Sequence, residues 1–154
     1  QTYKSKGNFK TLENYSFEKN VNHFDIVAIL GLFEYLNDDD ILELLNNIYD
    51  SLKDNGKVIA TTPNYGGIMF LIDKALNFLG PVDYNLENIN KFSKKRLIEL
   101  IKKSKFSSYK VSKFNNIFLF FSLINLNLGK TTDNFFGKVT KNQMGLLLFL
   151  ELTK

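Results

Sequence analysis

A carboxylate and a phenol follow the first apolar run of the chain, close to the point where that run ends. Glu34 and Tyr35 come a few residues after Leu30. In parallel α/β sheets ligands bind beyond the carboxyl ends of the strands, so both residues are candidate catalytic groups that face a substrate. Glu34 could orient or deprotonate a nucleophile there. The alternative is that Glu34 is an ordinary loop carboxylate, exposed to water.

A second polar group follows the second apolar run, which ends at Thr62. Pro63, Asn64 and Tyr65 stand directly after it. If the two runs are neighbouring parallel strands, their ends meet at one side of the sheet, and these three residues line the substrate part of the same site. The alternative is a simple turn in which Pro63 stops the strand.

Several other chemistries are excluded by composition. The sequence has no cysteine, so thiolate catalysis, disulfides and cysteine-ligated zinc are ruled out. His23 is the only histidine, and it precedes its strand, which places it at the end opposite to the candidate site; Asp25 shares that position. The sequence shows neither a cluster of metal ligands nor a phosphate-cradling loop, so a metal or nucleotide-dependent enzyme is not expected.

The bulk composition is that of one soluble globular domain. The 154 residues are 44% hydrophobic and 23% charged. The net charge of +4 comes from scattered lysines, with Arg96 as the single arginine, so a nucleic-acid partner is not expected. The longest apolar run, 117–128, is interrupted by polar residues and too short to span a membrane. Residues 1–10 are polar and do not resemble a signal peptide, so we expect a cytoplasmic location.

The hydrophobic pattern predicts alternating strands and helices. Residues 24–30 form a nearly continuous apolar run, typical of a parallel strand that is buried on both faces. Apolar residues over 41–52 recur at helical spacing. Asn37-Asp38-Asp39-Asp40 before them supplies N-cap candidates and negative charge at the helix start, and Gly56 after them is the predicted C-terminal stop. Residues 57–62 form the second strand. This β-α-β order predicts parallel strands joined by a right-handed crossover.

The rest of the chain gives weaker patterns. We expect helices over 68–79 and 93–104, and strands over 107–114 and 145–153, whereas 115–128 is apolar and ambiguous. No repeat or linker is evident, so the whole chain, 1–154, is predicted to be a single domain. A group of phenylalanines forms either a core or lid, or a lipid-binding surface if they are exposed as one patch: Phe114, Phe118, Phe120, Phe121, Phe135 and Phe136.

The order of these pieces resembles the second half of the class I S-adenosylmethionine (SAM)-dependent methyltransferases. The matching pieces are Phe-Asp-Ile-Val at 24–27, Glu-Tyr at 34–35 where the family has Glu-His, Leu-Lys-Asp-Asn-Gly at 52–56, and Thr-Pro-Asn at 62–64. The match extends over about 23–106. The resemblance implies an α/β fold, a partial Rossmann-like sheet flanked by helices. Its strands would be parallel except for an antiparallel C-terminal strand inserted between the two before it.

The resemblance also implies an activity and its site residues. SAM would be the cofactor, and a methyl group would be transferred to a small-molecule or lipid-like acceptor. Leu30, Gly31 and Leu32 would line the cofactor pocket, and Asn8 would stand where the family places a polar residue near the adenine. Tyr35 stands where the family has a histidine, so the resemblance does not carry the acid-base role of that histidine over to Tyr35.

One part of the family pattern is missing. No two glycines of the sequence are separated by a single residue, so the glycine-rich cofactor loop has no counterpart. We therefore expect the C-terminal part of a larger methyltransferase domain, with the strand 24–30 open at one edge. Two alternatives remain: a non-catalytic module that pairs or self-associates through that open edge, and a peripheral membrane-binding module that uses 114–128 and nearby lysines.

Overall fold

The computed structural model describes residues 20–67, 69–71, 74, 89–141 and 143–154, with the backbone alone described at 117, 119 and 120. Asn8 and most of the helix predicted over 68–79 lie outside the described residues. The predictions made for them therefore stay predictions.

In the described part of the chain four strands form one mixed sheet in the order β1-β2-β4-β3. β1 and β2 are parallel, and β4 lies antiparallel between β2 and β3, which is the predicted arrangement. Because β4 is antiparallel to both neighbours, β2 and β3 run in the same direction, so the carboxyl ends of β1, β2 and β3 lie together at one end of the sheet. The strands are β1 (Phe24–Leu30), β2 (Leu52–Pro63), β3 (Ser108–Phe114) and β4 (Leu147–Thr153).

Capping side chains set the starts of the first two helices. The Asn37 side chain accepts a hydrogen bond from the Asp40 amide at 2.9 Å, and the Ser93 hydroxyl accepts one from the Arg96 amide at 3.2 Å. No helix in the described part of the chain is long and apolar enough to cross a bilayer. The helices are α1 (Asp38–Ser51), α2 (Lys94–Ile101) and α3 (Leu126–Val139), with 3₁₀ segments at Phe33–Tyr35 and Ile117–Leu123.

α1 and α2 pack against one face of the sheet and form the main core with it. Each fully buried aliphatic side chain contributes about 1.5–3 kcal/mol through the area it removes from water. The buried residues are Ile41, Leu45 and Ile48 of α1; Leu97, Leu100 and Ile101 of α2; Ile29, Leu52, Val58, Ala60, Val111, Leu148, Leu150 and Leu152 of the strands; and Phe33, Phe92 and Phe106 between elements.

β1 is not buried on both faces, which corrects the prediction from its apolar run. Ile29 is buried, but Ile26 and Leu30 are 59% and 69% exposed. Side chains alternate between the two faces of a strand, and Ile29 lies on the face that joins the core while Ile26 and Leu30 lie on the other. A continuous apolar run reveals hydrophobicity, but it does not reveal which face a neighbouring element covers.

α1 also ends earlier than its apolar stripe indicates. The helix stops at Ser51, and Leu52 already belongs to β2, where it stands opposite Phe24. Asn55 has a φ of 62°, in the left-handed region, within the irregular start of the strand. Gly56 is therefore part of a strand irregularity and not a helix stop. The sequence pattern placed Leu52 in the helix because a buried residue at the start of a strand can continue the apolar spacing of the helix before it.

A cross-strand ion pair on the sheet gives the first testable prediction. The Lys57 ammonium lies 2.8 Å from a carboxylate oxygen of Glu151. This hydrogen bond, with the charge of Lys57, lowers the pKa of Glu151 below its ordinary value. A lowered folded-state pKa gives stability that is present above the unfolded pKa and is lost as the pH falls through the folded one. We expect Lys57→Met to raise the Glu151 pKa towards its ordinary value and to weaken this acid dependence.

The measurement is an NMR titration of the Glu151 carboxylate between neutral and acidic pH. Lys102→Met removes an exposed lysine elsewhere and is the matched control. A Glu151 pKa that is the same in both variants would show that Lys57 does not set it.

Candidate functional site

The residues that follow β1 form an open surface at the carboxyl end of the sheet. The Gly31 amide donates to the Thr61 carbonyl at 3.1 Å, which holds the chain beside β2 as β1 ends. Gly31 has a φ of +61°, a left-handed conformation that favours glycine. Leu30 and Leu32 on either side of it are exposed. Three of the four residues predicted to contact the cofactor thus lie together with their surface accessible, and the fourth, Asn8, lies outside the described residues.

Glu34 is a buried carboxylate, and the alternative of a solvated loop residue is wrong. Its side chain is 6% exposed, and its Oε2 accepts a hydrogen bond from the Thr62 hydroxyl at 3.2 Å. A Cβ added at Gly31 would lie 3.4 Å from Oε1 of Glu34. The carboxylate therefore sits between the ends of β1 and β2, against the left-handed turn. Thr62 was not among the predicted site residues, because nothing in the sequence links it to a position 28 residues earlier.

Tyr35 is exposed, unlike the neighbouring Glu34. Its side chain is 48% exposed, so its phenol belongs to the accessible surface of the same turn. Among the residues that the structure describes, no group of three or more His, Asp or Glu side chains could hold a metal ion.

Asn64 is fully buried and fixes the loop after β2. Its Nδ2 donates to the Gly145 carbonyl at 2.7 Å, and its Oδ1 accepts from the Gly66 amide at 3.3 Å. Both ends of the side-chain amide are thus used by the backbone. Pro63 and Tyr65 on either side are partly buried. Of the three residues predicted to line the substrate part of the site, Asn64 holds the loop that carries the other two.

Residues 90–92, which we call the 90–92 bridge, connect the two loops of the site. The Asn90 amide donates to the Glu34 carbonyl at 3.0 Å, and the Phe92 carbonyl accepts from the Tyr65 amide at 2.7 Å. The side chains of Asn90 and Phe92 are buried. The bridge was not predicted from the sequence, because the asparagine-rich sequence before it has no hydrophobic period.

His23 and Asp25 lie at the amino end of β1, as predicted. The His23 amide donates to the Ser51 carbonyl at 2.7 Å, and Asp25 pairs with Lys53 at 2.9 Å. Both contacts tie the start of β1 to the chain that leads into β2. They are structural contacts at the end of the sheet opposite to Glu34.

No family model matches the sequence, and no curated protein matches it closely. Solved structures do match the fold. A SAM-dependent methyltransferase from Archaeoglobus fulgidus superposes with a TM-score of 0.61 over 97% of this chain, at 15% identity. A Thermotoga maritima SAM-dependent methyltransferase, described as a possible histamine N-methyltransferase, gives 0.57 over 88%, also at 15% identity. The chain has the fold of the class I SAM-dependent methyltransferases.

The likeness to methyltransferase structures covers most of this chain but less of the proteins it matches. The chain spans 69% of the Archaeoglobus protein and 58% of the Thermotoga protein. A phosphoethanolamine N-methyltransferase from Haemonchus contortus, in complex with phosphomonomethylethanolamine and S-adenosylhomocysteine, gives a TM-score of 0.50 at 20% identity. The match covers 88% of this chain and 34% of that one. The methyltransferase fold of the chain therefore corresponds to part of a larger unit in most of these proteins.

Proposed function

We propose that this chain contributes one wall of a SAM site and that the complete enzyme methylates a small-molecule or lipid-like acceptor. The observation that carries the proposal is the left-handed Gly31 between two exposed leucines, at the carboxyl end of a sheet with the strand order of methyltransferases. An exposed backbone flanked by apolar side chains suits the flat ring of a purine nucleoside.

The residues present fit one side of the cofactor. Leu30 and Leu32 offer apolar surface, and Gly31 leaves its backbone open because it has no side chain. The sequence has no Gly-x-Gly loop, so the described residues offer no such cradle for the amino-acid part of SAM. The proposal is accordingly limited to contacts made by residues 30–32.

Polar groups at the same end of the sheet are proposed to contact the methyl acceptor. When bound, SAM supplies a methyl group that its sulfonium has already activated, so the protein contributes mainly alignment and exclusion of water. The hydrogen bond between Glu34 and Thr62 fixes the turn that follows β1. Tyr35 presents its accessible phenol beside that turn, in the position proposed for contact with the acceptor.

An NMR titration of the ¹⁵N-labelled chain with S-adenosylhomocysteine tests the proposal. We expect amide shifts concentrated at residues 30–35, and up to roughly tenfold weaker binding in Gly31→Ala. A Cβ strains a left-handed backbone by about 1–2 kcal/mol, so the free turn would relax away from the conformation that is proposed to bind the cofactor. Gly67→Ala is the matched control, since a Cβ there would meet nothing closer than the Asn64 Nδ2 at 3.4 Å.

Two results would overturn this proposal. One is the absence of amide shifts at millimolar ligand in a chain whose spectrum shows it to be folded. The other is a set of shifts that avoids residues 30–35, or that responds equally to Gly31→Ala and Gly67→Ala.

β1 favours a second candidate function. Within the described part of the chain β1 is an edge strand that pairs with β2, and Ile26 and Leu30 are exposed on its face away from the core. Edge strands with apolar side chains pair readily with other chains, so β1 suits a non-catalytic module that self-associates. Sedimentation velocity should then show a concentration-dependent dimer that Ile26→Lys abolishes, without any response to S-adenosylhomocysteine. A monomer at all concentrations would exclude this function.

A further inference from the structure

The chain between β3 and β4 forms a small unit of its own, made of the 3₁₀ segment Ile117–Leu123 and α3, which we call the hairpin. Its arms pack closely, since the rings of Phe118 and Phe136 stack with centroids 3.7 Å apart and a Cβ on Gly129 would lie 2.5 Å from the Ser122 Cβ. None of its described side chains belongs to the main core. The hairpin is therefore attached to the carboxyl end of the sheet without being part of the core.

The outer surface of the hairpin is apolar. At its tip, Leu123 and Ile124 are 84% and 79% exposed. Along α3, Leu128, Phe135 and Val139 are exposed and recur at helical spacing, so they lie on one side of the helix as an apolar stripe. Exposed apolar side chains gathered on one small unit are typical of a binding surface.

The charge on the outside of the hairpin is positive. Between β3 and residue 141 the charged residues are Lys130, Asp133, Lys138 and Lys141. The three lysines are exposed, whereas the Asp133 carboxylate is directed inward and accepts a hydrogen bond from the Asn116 amide at 2.6 Å. On the α3 helix Lys138 lies beside the apolar stripe, Lys130 lies on the polar side away from it, and Lys141 follows the helix end. An apolar helix face bordered by lysine is complementary to an anionic lipid surface, where each lysine contributes about 1 kcal/mol.

A basic cavity lies at the base of the hairpin. It has a volume of about 410 Å³, and Lys94, Lys113 and Lys141 line it together with Val111, Ser112 and Gln143. No carboxylate is among these lining residues. Ammonium groups gathered around one cavity suit the phosphate of a lipid headgroup.

A second copy of the chain fits the same face less well. In a two-fold pair the same patch meets itself, so a surface that carries Lys138 and Lys141 would face an equally positive surface. Like charges in contact oppose association. An anionic bilayer satisfies both the apolar stripe and the lysines.

We propose that the hairpin docks this chain onto an anionic bilayer surface, with Leu123, Ile124 and the α3 stripe in the interfacial layer and the lysines at the headgroup phosphates. The hairpin connects β3 to β4, so it is attached at the end of the sheet that carries Gly31 and Tyr35. Docking would bring that end towards the bilayer. If the proposed function holds, the acceptor would then be a lipid or an amphiphile taken from the surface.

Co-sedimentation with vesicles tests the apolar part of the contact. Vesicles of phosphatidylcholine mixed with phosphatidylserine should bind the chain, and vesicles of phosphatidylcholine alone should bind it weakly. The double change Leu123→Asn and Ile124→Asn should lower the partition coefficient about tenfold or more, because it removes two apolar anchors. Val21→Asn with Ile89→Asn is the control, since both residues are exposed and lie outside the hairpin.

Lysine variants test the electrostatic part of the contact with the bilayer. The double change Lys138→Gln and Lys141→Gln should weaken the preference for phosphatidylserine and the salt dependence of binding, whereas Lys102→Gln with Lys103→Gln, also at exposed positions, should preserve both.

Three results would overturn the bilayer proposal: no binding of the unaltered chain to phosphatidylserine vesicles, equal loss in hairpin and control variants, or a dimer that the Leu123 and Ile124 changes dissociate in the absence of lipid. The S-adenosylhomocysteine titration is carried out on the same variants without vesicles. Failure of lipid docking is thereby distinguished from failure of cofactor binding.

Discussion

Replacing Phe92 with alanine is expected to destabilise the chain by about 3–5 kcal/mol, the cost of emptying a fully buried phenylalanine site. Phe92 is 0% exposed, and its ring meets the Phe33 ring edge to face with centroids 6.5 Å apart. The Arg96 guanidinium lies 5.2 Å from the ring centre on another side. The cavity would open between the turn after β1 and the start of α2.

Urea unfolding followed by circular dichroism measures the Phe92 effect. Phe135→Ala is the control, because that ring is largely exposed and its loss should cost less than about 1 kcal/mol. Phe92→Ala should also move the amide signals of Glu34 and Tyr65, since both loops are held by the 90–92 bridge. Equal destabilisation by the two alanine variants would show that the bridge does not anchor the core.

The second large effect is expected at Asn64. Asn64→Leu keeps the approximate size of the side chain but leaves the Gly145 carbonyl and the Gly66 amide without their partner. Gly145 is buried and Gly66 is exposed, so the main cost comes from the Gly145 carbonyl. A buried polar group that loses its hydrogen bond costs about 1–3 kcal/mol, and we expect a loss of that size. The stronger bond, to Gly145, joins the loop after β2 to the start of β4, so its loss should also disorder the proposed acceptor loop.

Chemical denaturation and hydrogen exchange together test the Asn64 prediction. Exchange should rise first at the amides of residues 64–67 and 145–147, before global unfolding. Asn134→Leu, at an exposed position of α3, is the control and should change stability by less than about 0.5 kcal/mol. Exchange that rises uniformly over the sheet would mean that Asn64 acts on the whole core and not on the loop.

The sequence predicts the frame of the sheet well. Residues 24–30 and the second strand give the parallel pair, and the resemblance to methyltransferases places the last strand antiparallel between its two predecessors, as observed. The capping positions Asn37 and Ser93 were also predictable, because a helix start needs a local acceptor for its free amides. Short-range chemistry and strand order are encoded in patterns that a single sequence displays.

Burial was harder to predict than position. The apolar run of β1 indicated two covered faces, yet Ile26 and Leu30 are exposed. Glu34 was open to interpretation as a solvated carboxylate, and it is buried against Thr62. In each case the burial of the side chain depends on which distant segment packs against it. The hydrophobic period of a single segment does not predict that partner.

The 90–92 bridge was missed for a related reason. Its contacts with Glu34 and Tyr65 use mainly backbone groups, and every residue type except proline can donate such an amide. The phenylalanines of the hairpin were open to interpretation as a core or lid, or as a lipid-binding surface. Phe118 and Phe136 stack on each other within the hairpin, while Phe121 and Phe135 are exposed. Their role at a bilayer stays a proposal.

The hairpin could be replaced by another segment because its two ends join the sheet at neighbouring positions. Phe114, the last residue of β3, stands directly opposite Leu147, the first residue of β4. Opposed residues of antiparallel strands lie about 4.5–5.5 Å apart at their Cα atoms, a gap that a tight turn can close. A gene could therefore lengthen, shorten or replace everything between these two anchors without disturbing the register of the sheet. Surface targeting and the chemistry of the sheet could then evolve separately within one chain.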